Sequence, residues 1–101
     1  MFTLVYVQSV DETYRFDERS YDALDAAGIG WQAALQVLRA PRRVRQHVGA
    51  VLRVAAATRD GRWVAVALVE EDPDQYLVVS ARELDGDEAS LVAGMLGRSD
   101  V

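Results

Sequence analysis

Apolar and polar positions alternate with a period of two through much of the second half of the chain, and that period predicts a sheet. From Val51 to Arg82 the sequence VLRVAAATRDGRWVAVALVEEDPDQYLVVSAR reads as three consecutive strands. They are joined by Asp60-Gly61 and by the connection Glu71-Asp72-Pro73-Asp74-Gln75. Asp-Gly between two alternating runs predicts a type I′ hairpin, which needs positive φ at both central residues. With those two as the loop, Arg59 faces Arg62, Thr58 faces Trp63 and Ala57 faces Val64. On the middle strand Trp63, Ala65, Ala67 and Val69 share one face and Val64, Val66 and Leu68 the other. Both faces are apolar, which marks a central strand covered on both sides, by helices or by a partner.

The first half changes period. Phe2 to Val10 is rich in β-branched and aromatic residues and predicts a strand at about 2–9, with Glu12 to Phe16 as a short second strand closing a hairpin. In DERSYDALDAAG, Asp17 or Ser20 caps a helix carrying Tyr21 and Leu24 on one side, and Gly28 supplies the left-handed position that ends it. A second helix, WQAALQVLRA, follows Gly30, with Trp31, Leu35 and Leu38 on one face, and stops at Pro41. So short a loop implies an antiparallel pair of helices or a bent one, laid over one face of the sheet. Arg42 to Val48 reads either as a loop or as an edge strand; if extended, Arg43, Arg45 and His47 share a face. Asp85 or Asp87 caps a last helix over DEASLVAGMLG, with Leu91, Val92 and Met95 as its apolar stripe. The order β, α, α, β, β, β, α gives an α+β domain, a small antiparallel sheet with two short helices and a C-terminal helix packed on it.

Composition bounds the class. With 101 residues, half of them hydrophobic and 27% charged, the chain makes a single domain, residues 1–101, with a core of its own. No run of about 18 apolar residues exists to span a membrane. The N-terminus lacks a basic segment and meets Asp11-Glu12 at once, which fits a strand rather than a signal peptide. The absence of cysteine excludes a disulfide framework and a thiolate metal site and fits a cytoplasmic protein.

A net charge of −5 speaks against nucleic acid until its distribution is examined. Arg39, Arg42, Arg43, Arg45, Arg53, Arg59 and Arg62 lie within one stretch that holds a single acid, Asp60, so this stretch carries +6 and the remainder −11. The molecule is strongly two-signed. All eleven basic residues are arginine, for which a GC-rich genome is a simpler explanation than selection for bidentate phosphate recognition.

Few residues can carry chemistry. His47 is the single histidine, so a two-histidine metal site is excluded; it is either a solvated polar residue or a general base kept neutral by neighbouring arginines. There is no P-loop, GxGxxG or GxSxG, and Gly28-Ile29-Gly30 is a turn. The acids of Glu70 to Asp74 fit a solvated turn better than a calcium site. Trp31 and Trp63 are most simply core residues, with Trp63 the candidate for stacking on a base. What remains is arginine on a sheet: Arg53, Arg59 and Arg62 on one hairpin face by the register above, and Arg82 near the end of the last strand with Ser80 on its side. Such arginines either pair with the abundant acids or meet a phosphate, whose transition-state charge a guanidinium can stabilise.

The runs GIGWQAALQVLRAP, DGRWVAVALVEE and YLVVSARELDGDEA, over residues 16–89, resemble the BrnT-type toxins of bacterial toxin–antitoxin pairs, within the RelE-like group of ribonucleases. The resemblance implies a RelE-like fold, messenger-RNA cleavage without metal or cofactor, a cytoplasmic setting, and a neutralising antitoxin, often of ribbon-helix-helix type. Carried over by motif, Arg62, Ser80 and Arg82 are the catalytic candidates. The residue reading adds Ser80 or His47 for proton transfer and Arg43, Arg45, Arg53 and Arg59 for RNA binding. Ala26-Ala27-Gly28 stands where members carry Lys-His-Gly, and Asp87-Glu88-Ala89-Ser90 where they carry basic and tyrosine residues. Two functions follow: a toxin-like endoribonuclease binding RNA through sheet arginines, or a catalytically inactive relative acting as a protein-interaction module, for which a homodimer is a natural form.

Overall fold

In the computed structural model, which describes residues 5–8 and 12–99, the sheet has six strands, the four of the coarse order and the two offered as short or alternative strands. In chain order the elements are β1 (Val5–Gln8), β2 (Thr13–Phe16), α1 (Glu18–Ala26), α2 (Trp31–Arg39), β3 (Val44–Val48), β4 (Val51–Ala57), β5 (Trp63–Asp72), β6 (Gln75–Glu83) and α3 (Gly86–Ser99). The sheet order is β1-β2-β6-β5-β4-β3. Neighbours are antiparallel except β2 and β6, which run parallel. The α+β class holds, and the short Thr13–Phe16 strand and the edge-strand alternative for Val44–Val48 are both realised. The rest of the predicted 2–9 strand lies outside the described residues.

The Asp60-Gly61 hairpin departs from the expected register by one residue. Ala57 pairs with Trp63, and Ala56 with Val64. Among the described non-glycine residues positive φ occurs at Asp74 alone, whereas Gly61 has φ +86, so Asp60 does not supply the second left-handed residue that a type I′ turn requires. Gly61 N–H instead donates to the Thr58 carbonyl at 3.0 Å and Thr58 N–H to the Arg62 carbonyl at 2.7 Å. This is a three-residue loop closed by a left-handed glycine, the alternative use of Asp-Gly. Arg59 and Arg62 therefore do not face each other. The second turn is also shorter than expected: Asp72 pairs with Gln75, leaving Pro73 and Asp74 as the turn, with proline before a residue of φ +62, the order a type II turn favours.

The period-two pattern now sorts cleanly. Leu52, Val54, Ala56, Val64, Val66, Leu68, Val78 and Ala81 are buried beneath α1 and α2 together with Tyr14, Phe16, Leu24 and Leu38. Opposite them, Ala55, Ala65 and Leu84 are buried with Trp63, Ala89 and Val92 under α3. A bulge in β6 makes this possible, since Ala67 pairs with Ser80 but Leu68 with Val78. Val79 is the extra residue, so Val78 and Ala81 both reach the main core while Ser80 and Arg82 turn to the α3 side.

Helix ends follow the side-chain chemistry. Asp17 and Ser20, offered as alternative caps for α1, act together: the Asp17 carboxylate accepts from Ser20 N–H at 3.0 Å and Ser20 Oγ accepts from Asp17 N–H at 3.0 Å, the reciprocal arrangement of a capping box. Fully buried Ser20 also donates to the Val78 carbonyl beside the bulge, fastening α1 to β6. Asp85 caps α3, accepting from Glu88 N–H at 2.9 Å. Two expectations about apolar faces are corrected. Trp31 is 43% exposed, and on α3 Leu91 (60%) and Met95 (41%) remain exposed at a depression that they line with Val92, Val44 and Gln46, while Leu96 is buried. α3 lies on a strip of sheet floored by alanines, with Ala89 and Val92 packed on Ala55, Ala65 and Leu84.

Candidate functional site

The register brings three of the predicted residues together. Arg53 on β4 and Ser80 on β6 both pair with Ala67 of β5, from opposite sides, and Arg82 pairs with the neighbouring Ala65. All three therefore rise from the α3 side of the sheet, across two alanines too small to fill the space between them. Arg53, Ala65, Ala67, Ser80 and Arg82 line an open depression of about 480 Å³. Strands stand about 4.8 Å apart, so Arg53 and Ser80 begin roughly 10 Å from each other. Arg53 is exposed and forms no side-chain hydrogen bond or ion pair among the described residues.

Arg82 is held. Both of its terminal nitrogens reach the Glu88 carboxylate, Nη1 to Oε1 at 2.7 Å and Nη2 to Oε2. This fork, followed by the backbone N–H of Asp85, lowers the Glu88 pKa to about 2, and the same contact raises that of Arg82. The folded carboxyl lies below its unfolded value of 4.5, so its stabilising effect is complete above that value and is lost as the pH falls through about 2. Carboxyl chemical shifts recorded down to about pH 3 should show Glu88 still ionised in the wild type, and titrating in the ordinary glutamate range in Arg82→Ala. Ordinary titration in both proteins would mean that the fork does not persist in solution.

The other candidates are elsewhere. Arg62 closes the hairpin on the α1–α2 side, its Nε 3.2 Å from Asp60 Oδ2 and its Nη1 3.7 Å from Glu83 Oε1. The expected common face for Arg53, Arg59 and Arg62 therefore does not form. The one-residue register change is the reason. His47 pairs with Leu52 and so also belongs to the α1–α2 side, turned away from Ser80, with which it cannot exchange a proton across the sheet. Arg43 donates to the Ala40 carbonyl at 2.8 Å, closing the end of α2. Arg45 is ion-paired to Glu12, a nearly buried carboxylate that also accepts from the Tyr14 hydroxyl at 2.7 Å. Arg59 stands at the hairpin tip, where its backbone N–H donates to Gln36 Oε1 at 2.9 Å.

Sequence reasoning missed the Glu12–Arg45 pair and the Ser20 tether, because each joins residues far apart in the chain. It also missed Glu88 as the partner of Arg82, although the acids at the start of α3 were in view. Among the described residues no three of His, Asp and Glu gather as a metal site would require, and no helix is long and apolar enough to cross a membrane. The molecule is thus an α+β domain with a cationic and hydroxyl-bearing depression on the α3 side of its sheet. No protein-family profile matches the chain, and no curated protein matches it either.

Proposed function

We propose that this chain is a toxin-like protein of RelE-like type that binds single-stranded RNA at the Arg53–Ser80–Arg82 depression, with an antitoxin, of ribbon-helix-helix type, as its cytoplasmic partner. The observation that carries the reading is Arg53. In a chain with sixteen acids and eleven arginines, a guanidinium left without a carboxylate and aimed over an alanine floor is available to an external anion. Ser80 faces it with a hydroxyl that can donate to the same phosphate. Phosphate binding at this place falls to Arg53 and Ser80, with Arg82 at the edge of the same depression and tied to Glu88, whereas Arg62 and His47 take no part because they lie on the other face.

RNA binding measured by fluorescence anisotropy between about 50 and 200 mM salt should weaken linearly on a log–log scale, and Arg53→Ala should reduce the slope by about 0.7, one phosphate contact. A flat salt dependence, or an unchanged slope in the variant, rejects the assignment.

A second reading, a catalytically inactive protein-interaction module, is supported by exposed Leu91 and Met95 on α3, which border one depression together with Val44 of edge strand β3. Large apolar side chains grouped at a sheet edge are a recurrent feature of protein interfaces. On that reading the protein is a homodimer at micromolar concentration and Met95→Glu converts it to a monomer. A wild-type monomer rejects the homodimer.

A further inference from the structure

A second depression lies on the other side of the molecule, between the flank of α2 and the tip of the β4–β5 hairpin. It has a volume of about 450 Å³ and is lined by Trp31, Gln32, Leu35, Gln36, Arg39 and Arg59, among others. We propose that this groove is a binding site for an unstacked nucleotide of single-stranded nucleic acid, with Trp31 as the stacking platform and Arg39 and Arg59 holding the flanking phosphates.

Three observations converge. Trp31 begins α2 with 43% of its surface in solvent, which leaves part of the indole open to a stacking partner. Helix periodicity places Trp31, Leu35 and Arg39 along one side of α2, with the aromatic ring and the cation about 12 Å apart along the axis. Across the groove stands Arg59, and neither arginine has an ion-pair partner among the described residues. In the same chain the side chains of Arg15, Arg45, Arg62 and Arg82 are each committed to a carboxylate.

The wall is fixed as well as charged. Gln36 accepts the Arg59 backbone N–H, which ties the hairpin tip to α2 and keeps the two arginines at a set separation. Gln32, exposed on the next position of the helix, offers both a donor and an acceptor to a base edge. An aromatic face beside two free guanidinium groups is the pairing that single-strand binding uses repeatedly, because every base has a π-face and every nucleotide a phosphate. A protein segment is less well suited: an acidic peptide satisfies the arginines but leaves the indole without a flat partner. Ala40, Pro41 and Ala57 border this groove and also another depression beside Arg42 and Trp63 on the α3 side, so a bound strand has a continuous path around the hairpin end.

The inference rests on the RNA-binding reading above, and the test separates the two. Labelled oligouridylate is titrated into the protein while anisotropy reports binding and tryptophan emission reports stacking, in wild type, Trp31→Phe and Trp63→Phe. Quenching that persists in Trp63→Phe and vanishes in Trp31→Phe is expected. Trp31→Ala should weaken binding about tenfold, and the double variant Arg39→Ala, Arg59→Ala should lower the salt slope by about 1.4. Should Trp63→Phe fail to fold, the loss of quenching in Trp31→Phe alone decides the point. Binding without Trp31-dependent quenching overturns the groove and leaves the sheet-face site standing. Equal quenching by polyglutamate, which has no bases, also overturns it. No anisotropy change at any salt removes both sites together.

Discussion

Leu68→Ala is expected to destabilise the protein by about 2–5 kcal/mol, because the side chain is fully buried between the helices and the sheet and cannot be replaced by collapse of a flexible wall. For a domain of this size each kcal/mol lowers Tm by roughly 4–8 °C, so the variant should melt at least about 8 °C below the wild type. Val69→Ala, one residue further along β5, should cost much less. Val69 is only partly buried and faces the α3 side, where part of the sheet is open to water. The contrast between adjacent positions tests the register itself, since a slip of one residue exchanges the two faces of a strand. Similar losses at both positions, measured by thermal denaturation, would contradict the face assignment on which every site residue depends.

Glu88→Gln is the second large effect. In the wild type Arg82 is neutralised by Glu88, both groups being substantially exposed. Removing the negative charge releases a guanidinium next to Arg53 and Ser80, so RNA affinity should rise about five- to tenfold near 50 mM salt, and the salt slope should steepen by about 0.7. Fold stability should change little, as exposed ion pairs contribute about 0–1 kcal/mol. If Glu88→Gln and the wild type bind RNA identically, Arg82 is a structural partner of α3 and nothing more. Combining Glu88→Gln with Arg82→Ala should abolish the gain, which distinguishes release of Arg82 from a general reduction in negative charge.

The elements were largely legible because their signals are local. The capping residues Asp17 and Asp85, the left-handed Gly28 with φ +70 and the stop at Pro41 all act within a turn of where they stand. The faces of β4 and β5 were legible for the same reason, since Val64, Val66 and Leu68 alternate strictly with Ala65, Ala67 and Val69. Pairing between strands was not. Asp60-Gly61 is compatible with two loop lengths, and the sequence does not reveal which one the flanking strands select. That single residue decided that Arg62 would stand apart from Arg53. The Val79 bulge had no sequence signature, yet it restored Ser80 and Arg82 to the side where Arg53 lies.

Trp31 failed for a different reason. Its spacing with Leu35 and Leu38 is that of a core stripe, and periodicity alone does not tell the buried middle of a helix from its exposed first turn. The Glu12–Arg45 pair lay beyond reach because its members are separated by 33 positions.

The parallel pairing of β2 with β6 governs how the molecule can be made. Residues 13–15 have their sheet partner at residues 75–77, so closing that contact spans about sixty residues and carries a loop-closure cost of roughly 3–4 kcal/mol. The meander from β3 to β6 can assemble from nearest neighbours, whereas the amino-terminal hairpin must wait for the last strand to be synthesised. A ribosome-bound chain halted before Gln75 therefore keeps Tyr14 and Phe16 accessible to chaperones, and docking of the amino-terminal hairpin is the natural late step of folding.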